Sequence, residues 1–223
     1  MSRKYLLRKV IGNRDFLDYD PKKFWTYARE DIQVDEGGSD AKLGNEGKRK
    51  ALVSLIDKAG IKSAIEFGCG FGLNLKQVCE AYPNKKLELV GCDISRVQLE
   101  KAKTFMGEKN YKRAKLFEHD LANKMPYPDS SFDLVYSCGV LMHVLPKHIE
   151  NVVNEMKRLS KDYVYLYERT NRYEEGERHE NNFVFNYDYC KFFNDWKLAF
   201  SREFQKKHFV YIFRKKEFFD KSI

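Results

Sequence analysis

From residue 62 onward, short apolar runs alternate with longer stretches in which apolar positions recur every three or four residues. The first pattern predicts buried strands and the second amphipathic helices. The order is strand 62–67 and helix 72–82, strand 87–92 and helix 95–106, then strand 114–119 and a loop rich in turn residues. Strand 132–137, helix 147–159 and strand 162–168 come next, and a short helix near 187–194 leads to two strand-like runs, 196–204 and 207–214. Upstream, Ala51, Leu52, Leu55, Ile56 and Ala59 form one stripe, which predicts a helix over 46–59 that Gly60 stops. Strand and helix in alternation specify an α/β fold with a doubly wound, mostly parallel sheet, whose ligands sit outside the carboxyl ends of the strands.

The first strand end carries the most informative residues, Glu66-Phe67-Gly68-Cys69-Gly70-Phe71-Gly72. Glycine lacks a Cβ, so the backbone can turn sharply there and a ligand can approach it closely. The helix that follows points its free N–H groups at that ligand. A dinucleotide fingerprint reads GxGxxG, whereas this run is GxGxG with Glu66 two residues before the first glycine. A carboxylate in that place repels phosphate and suits a cationic ligand. Two more acids close later strands. Asp93 ends the second, where a carboxylate can accept hydrogen bonds from ribose hydroxyls; its other reading is a helix cap, a role open to Ser95 beside it. Asp120 ends the third and, taken alone, reads as a solvated loop acid.

Residues 63–140 resemble the class I S-adenosylmethionine-dependent methyltransferases, whose first motif, E/D-x-G-x-G-x-G, is matched by Glu66 to Gly72. The resemblance implies a Rossmann-like, seven-stranded sheet closed by an antiparallel C-terminal strand, and S-adenosylmethionine as cofactor. It places Asp93 at the ribose, Asp120 at the adenine amino group and the next backbone N–H at a ring nitrogen. The cofactor-binding set it implies is Glu66, Phe67, Gly68, Cys69, Gly70, Asn74, Asp93, Ile94, Asp120, Leu121 and Ser137, with Trp25 covering them from an N-terminal extension.

The segment Phe132 to Val144 ends the fourth strand beside the expected methyl group. It lacks the Asn/Asp-Pro-Pro-aromatic signature of base amino methylation and the Pro-Cys pair of pyrimidine carbon methylation, so Cys138 reads as a packing or wall residue. Methyl transfer needs a base only when the acceptor is a poor nucleophile such as a hydroxyl. His143 is the candidate, because an imidazole titrates near neutrality; its alternative is a structural histidine at a helix start. His148 and His179 are secondary candidates, and no acid pattern points to a metal. Gly139 to Val144 and Asn186 to Tyr189 are loosely similar to methyltransferases of sugar and small-metabolite biosynthesis. The acceptor expected is therefore a hydroxyl on a saccharide or related metabolite. An RNA methyltransferase and a non-catalytic cofactor-binding partner subunit are the alternatives.

Composition trims this picture. Five cysteines in no CxxC pair argue against a disulfide framework and a structural zinc site, and fit a reducing cytoplasm. No apolar run approaches the length of about 20 residues that spans a bilayer, and the first residues lack a signal-peptide core. Net charge is +8, spread evenly, so no block of charge marks a nucleic-acid arm. Residues 1–45 read as an N-terminal helical cap and 46–223 as the cofactor-binding domain. Within the cap, residues 1–14 suit a packed surface helix or a membrane-surface helix. Phe24, Trp25 and Tyr27 suit a cofactor cover or core packing, and Arg29 suits the cofactor carboxylate or solvent. Gly37-Gly38-Ser39-Asp40 reads as a flexible loop, and 170–186 as a substrate loop or a surface insertion. Oligomeric state is left open.

Overall fold

A computed structural model describes Pro21, Trp25 and residues 39–170, 184–205 and 207–216. Its strands are β1 (Ser63–Phe67), β2 (Glu88–Asp93), β3 (Ala114–Glu118), β4 (Phe132–Cys138), β5 (Ser160–Arg169), β6 (Lys197–Gln205) and β7 (His208–Arg214). The helices are α1 (Ser39–Lys58), α2 (Leu73–Ala81), α3 (Arg96–Met106), α4 (Glu108–Tyr111), α5 (Pro146–Leu159) and α6 (Tyr189–Phe192), with a 3₁₀ turn over Leu141–His143. Pro21 and Trp25 are helical as well.

One sheet holds all seven strands in the order β3-β2-β1-β4-β5-β7-β6. Strands β1 to β5 pair in parallel, and β7 enters antiparallel between β5 and β6. Every residue of β1 is buried, as expected of a strand covered on both faces. Because side chains alternate along a strand, Ala64 faces one core and Ile65 and Phe67 the other. The first core joins Ala64, Leu89 and Leu134 to Leu52 and Ile56 of α1, Leu75 and Val78 of α2 and Met106 of α3. The second joins Ile65, Phe67 and Val135 to Ile149, Val152, Val153 and Met156 of α5 and to the C-terminal rings Phe193, Trp196 and Phe213. Strands β1 and β4 are clasped at their starts, where Asp133 Oδ2 accepts from the backbone N–H groups of Lys62 (2.8 Å) and Ser63 (3.0 Å).

Chain order reverses between β1 and β4, which opens a crevice at their carboxyl ends. No helix among the described residues is long and apolar enough to cross a membrane.

Two differences from the sequence reading concern the helices. Helix α1 begins at Ser39, so Ser39 and Asp40 are helical and not loop, and the division drawn at residue 45 falls inside an element. Both are residue types that suit a helix start, and the neighbouring glycines masked that. The one-turn helix α4 is too short for periodicity to register. The readings for residues 1–14, Phe24, Tyr27, Arg29, Gly37-Gly38 and His179 lie outside the described residues, as does 171–183 of the substrate loop.

Candidate cofactor and active site

After β1 the chain passes through three left-handed glycines, Gly68, Gly70 and Gly72, at φ of 71°, 54° and 82°. Each has its own reason to lack a side chain. A Cβ on Gly68 would lie 2.4 Å from Val140 Cγ2, and one on Gly72 would lie 2.5 Å from Met106 Sδ. On Gly70 it would meet nothing within 4 Å, so there the requirement is conformational and the backbone stays open to a ligand. Asp93 organises this loop. Its Oδ2 accepts from Gly70 N–H and its Oδ1 from Ser95 N–H, both at 2.8 Å. Ser95 takes the capping role, its Oγ accepting from Gln98 N–H. Asp120 Oδ1 accepts from Ala122 N–H at 2.9 Å and so shapes the turn after β3.

These three strand ends share one cavity of about 400 Å³, a size suited to a small organic ligand. On the β1 to β3 side it is lined by Gly68, Cys69, Gly70, Asn74, Asp93, Ile94, Asp120 and Leu121. On the β4 to β7 side it meets Val140, Met142, His143, His148, Tyr167 and His208, and Trp25 and Lys48 reach it from upstream.

Glu66, Phe67 and Ser137 are not part of the lining. Phe67 is in the core, and Ser137 is buried with its hydroxyl donating to Glu168 Oε1 at 2.8 Å. Glu66 lies beneath the glycine loop, accepting from Asn74 Nδ2 (2.6 Å) and Tyr136 OH (3.2 Å). Burial pushes its carboxyl up to about 7, against the opposing pull of Asn74, the Lys48 charge and Tyr136. In this structure the acid anchors the first turn of α2 from below.

His143 ends the 3₁₀ turn after β4, and its ring packs edge-on against Trp25 with centroids 4.7 Å apart. The thiol of Cys138 is pushed up by burial, which keeps it protonated and unreactive. Among the described residues no group of three or more His, Cys, Asp or Glu is placed to hold a metal.

Sequence reasoning passed over four residues. Lys48 is 7% exposed, with its ammonium 5.2 Å from the centre of the Tyr167 ring. Its sequence signal was a lysine one turn before Leu52 on the apolar stripe of α1. Tyr167 and His208 stack at 5.8 Å, brought together by β5 and β7. Glu168, fully buried, accepts from the N–H groups of Val140 and Met142. No local pattern marks these last three.

A family profile described as a methyltransferase domain matches residues 64–162, the span that builds β1 to β4 and α5. The chain belongs to the class I S-adenosylmethionine-dependent methyltransferase family. Ajmaline N-methyltransferase of Rauvolfia serpentina is 30% identical over 164 residues, covering 68% of this chain and 51% of its own. A tRNA N(3)-cytidine methyltransferase of Gallus gallus is 31% identical over 100 residues, 44% of this chain and 27% of its own. The chain therefore spans about half of the first relative and about a quarter of the second. A solved S-adenosylmethionine-dependent methyltransferase of Aquifex aeolicus shares the fold, with a TM-score of 0.63 at 17% identity over 88% of this chain and 99% of its own.

Proposed function

We propose that this chain binds S-adenosylmethionine in the cavity described above and methylates a small molecule at a hydroxyl oxygen, on a saccharide or related metabolite. The observation that carries the reading is that one cavity is lined by the glycine loop, Asp93, Asp120 and His143. The cofactor, when bound, supplies a methyl group already activated by its sulfonium, so the protein's part is alignment and a dry site.

Gly70 gives the backbone approach, and Asp93, which holds the loop and lines the cavity, suits the ribose hydroxyls. Asp120 and the backbone after it suit the adenine edge. Lys48, a buried cation on the lining, suits the carboxylate of the amino-acid end. Glu66 supports Asn74 from below, and Trp25 covers the side where His143 stands. His143 takes the proton of the acceptor hydroxyl as that oxygen attacks.

Among the described lining residues Lys48 is the sole lysine or arginine, which gives a phosphate backbone little to hold. The RNA reading draws on the tRNA-modifying relative and on the net charge of +8. Titration calorimetry with S-adenosylmethionine and with NADH comes first, followed by a radiolabelled methyl-transfer screen over sugars, small metabolites and RNA. We expect binding of the first ligand alone and transfer to a small hydroxylated acceptor. Transfer to RNA alone would replace this reading by the second, and binding without transfer to anything would favour a partner subunit. His143→Ala should lower turnover by about tenfold to a thousandfold and leave cofactor affinity within about twofold; unchanged turnover removes it as the base.

A further inference from the structure

Behind the turn that carries His143 stands a carboxylate that does not line the cavity. Glu168, fully buried near the end of β5, accepts at Oε1 from the Ser137 hydroxyl (2.8 Å) and Val140 N–H (3.1 Å). At Oε2 it accepts from Met142 N–H (3.4 Å). The N–H groups that open a helical turn have no partner within the turn, and Val140 at its start has no side chain to serve them. A glutamate on the neighbouring strand serves them instead.

The rest of the turn is pinned around that contact. Gly139 donates to Tyr167 O at 2.7 Å and is left-handed at φ 72°. Val140 is pressed against Gly68, and His143 N–H returns to Val140 O at 2.8 Å. At the far end Met142 O accepts from Phe185 N–H (2.7 Å), and Val144 O from Tyr187 OH (2.6 Å). A buried carboxylate is costly to keep, and an apolar side chain would fill the same volume more cheaply. What the carboxylate adds is acceptors aimed at this one turn.

We infer that Glu168 is a positioning residue that sets the turn over 140–143 and, through it, the place and environment of the His143 imidazole. The inference rests on the proposed role of His143, yet it can be tested without turnover. In the ¹⁵N-labelled full chain, the ring signals of the five histidines are followed against pH, and His143→Gln identifies the His143 signal by its loss. The groups facing Glu168 are silent in that range: burial pushes the Cys138 thiol and the Tyr167 and Tyr189 phenols up, so they stay neutral. His148 and His208, on the same cavity, are read separately.

Glu168→Gln turns one acceptor into an N–H that opposes the backbone donors. It should displace the His143 signal and move its midpoint by about half a pH unit or more, leaving His119 unmoved. Where transfer is measured, kcat should fall about tenfold with the cofactor KM within about twofold. Superimposable His143 titrations in wild type and Glu168→Gln overturn the inference. Should that variant not fold, Glu168→Asp, which keeps the charge but shortens its reach, is read by the same two outcomes.

Discussion

At Asp93 both carboxylate oxygens accept backbone N–H groups, and under the proposed function the same carboxylate also meets the ribose hydroxyls. Asp93→Ala should therefore weaken S-adenosylmethionine binding by about 1 to 3 kcal/mol, measured by calorimetry. Asp93→Asn keeps one acceptor and should cost less, and unchanged affinity in both removes Asp93 from the ribose site. Glu66 makes a prediction of a different kind. Its folded pKa of about 7 lies above the ordinary 4.5 because burial disfavours the charged form. A raised value means stability that is present below about pH 4.5 and lost as pH climbs through about 7, amounting to about 3 kcal/mol. Denaturant unfolding followed against pH should show that decline, and Glu66→Gln should flatten it. A variant as pH-dependent as wild type over this window would show that the slope has another source.

Among the elements, α5 illustrates how one residue ties a helix to a loop. Its apolar face, Ile149, Val152, Val153, Met156 and Leu159, is buried, and Pro146 in its first turn starts it. Near its end Arg158 donates to Tyr127 O (2.9 Å) and Met125 O (3.4 Å) and forks onto Glu155 and Asp129. Glu155 in turn accepts from Met125 N–H at 2.7 Å. The loop that links β3 to β4 is thereby held against the helix. Arg158→Ala should lower unfolding free energy by about 2 to 4 kcal/mol by chemical denaturation. Arg158→Lys should recover only part, since an ammonium cannot reproduce the fork.

For the molecule as a whole, a ligand that binds only the folded chain raises its stability by mass action. S-adenosylmethionine at a hundred times its dissociation constant should add about 2.7 kcal/mol, read as a higher melting temperature, and NADH should add nothing. No rise with the first ligand would count against the cavity as its site. How far the molecule was legible beforehand depends on range. The alternation of strand and helix, the left-handed glycines and the acids at Asp93 and Asp120 were readable because each depends on neighbours a few residues away. The family resemblance implied a mostly parallel sheet of seven strands with an antiparallel strand at its C-terminal end, but the order β3-β2-β1-β4-β5 with β7 inserted came from the structure, since periodicity says nothing of which strands pair. Three things waited for tertiary structure. Glu66, read as a ligand contact, faces Asn74 and Tyr136 under the loop, the second 70 residues away. Lys48 became a cavity residue once α1 packed beside Tyr165 and Tyr167, and its backbone carbonyl accepts from Tyr165 OH 117 residues on. Glu168 met the His143 turn only when β5 paired with β4. Local chemistry thus pointed to the strand ends that line the cavity, and long-range packing decided which charged groups face that cavity, because burial and hydrogen-bond partners are properties of the folded neighbourhood.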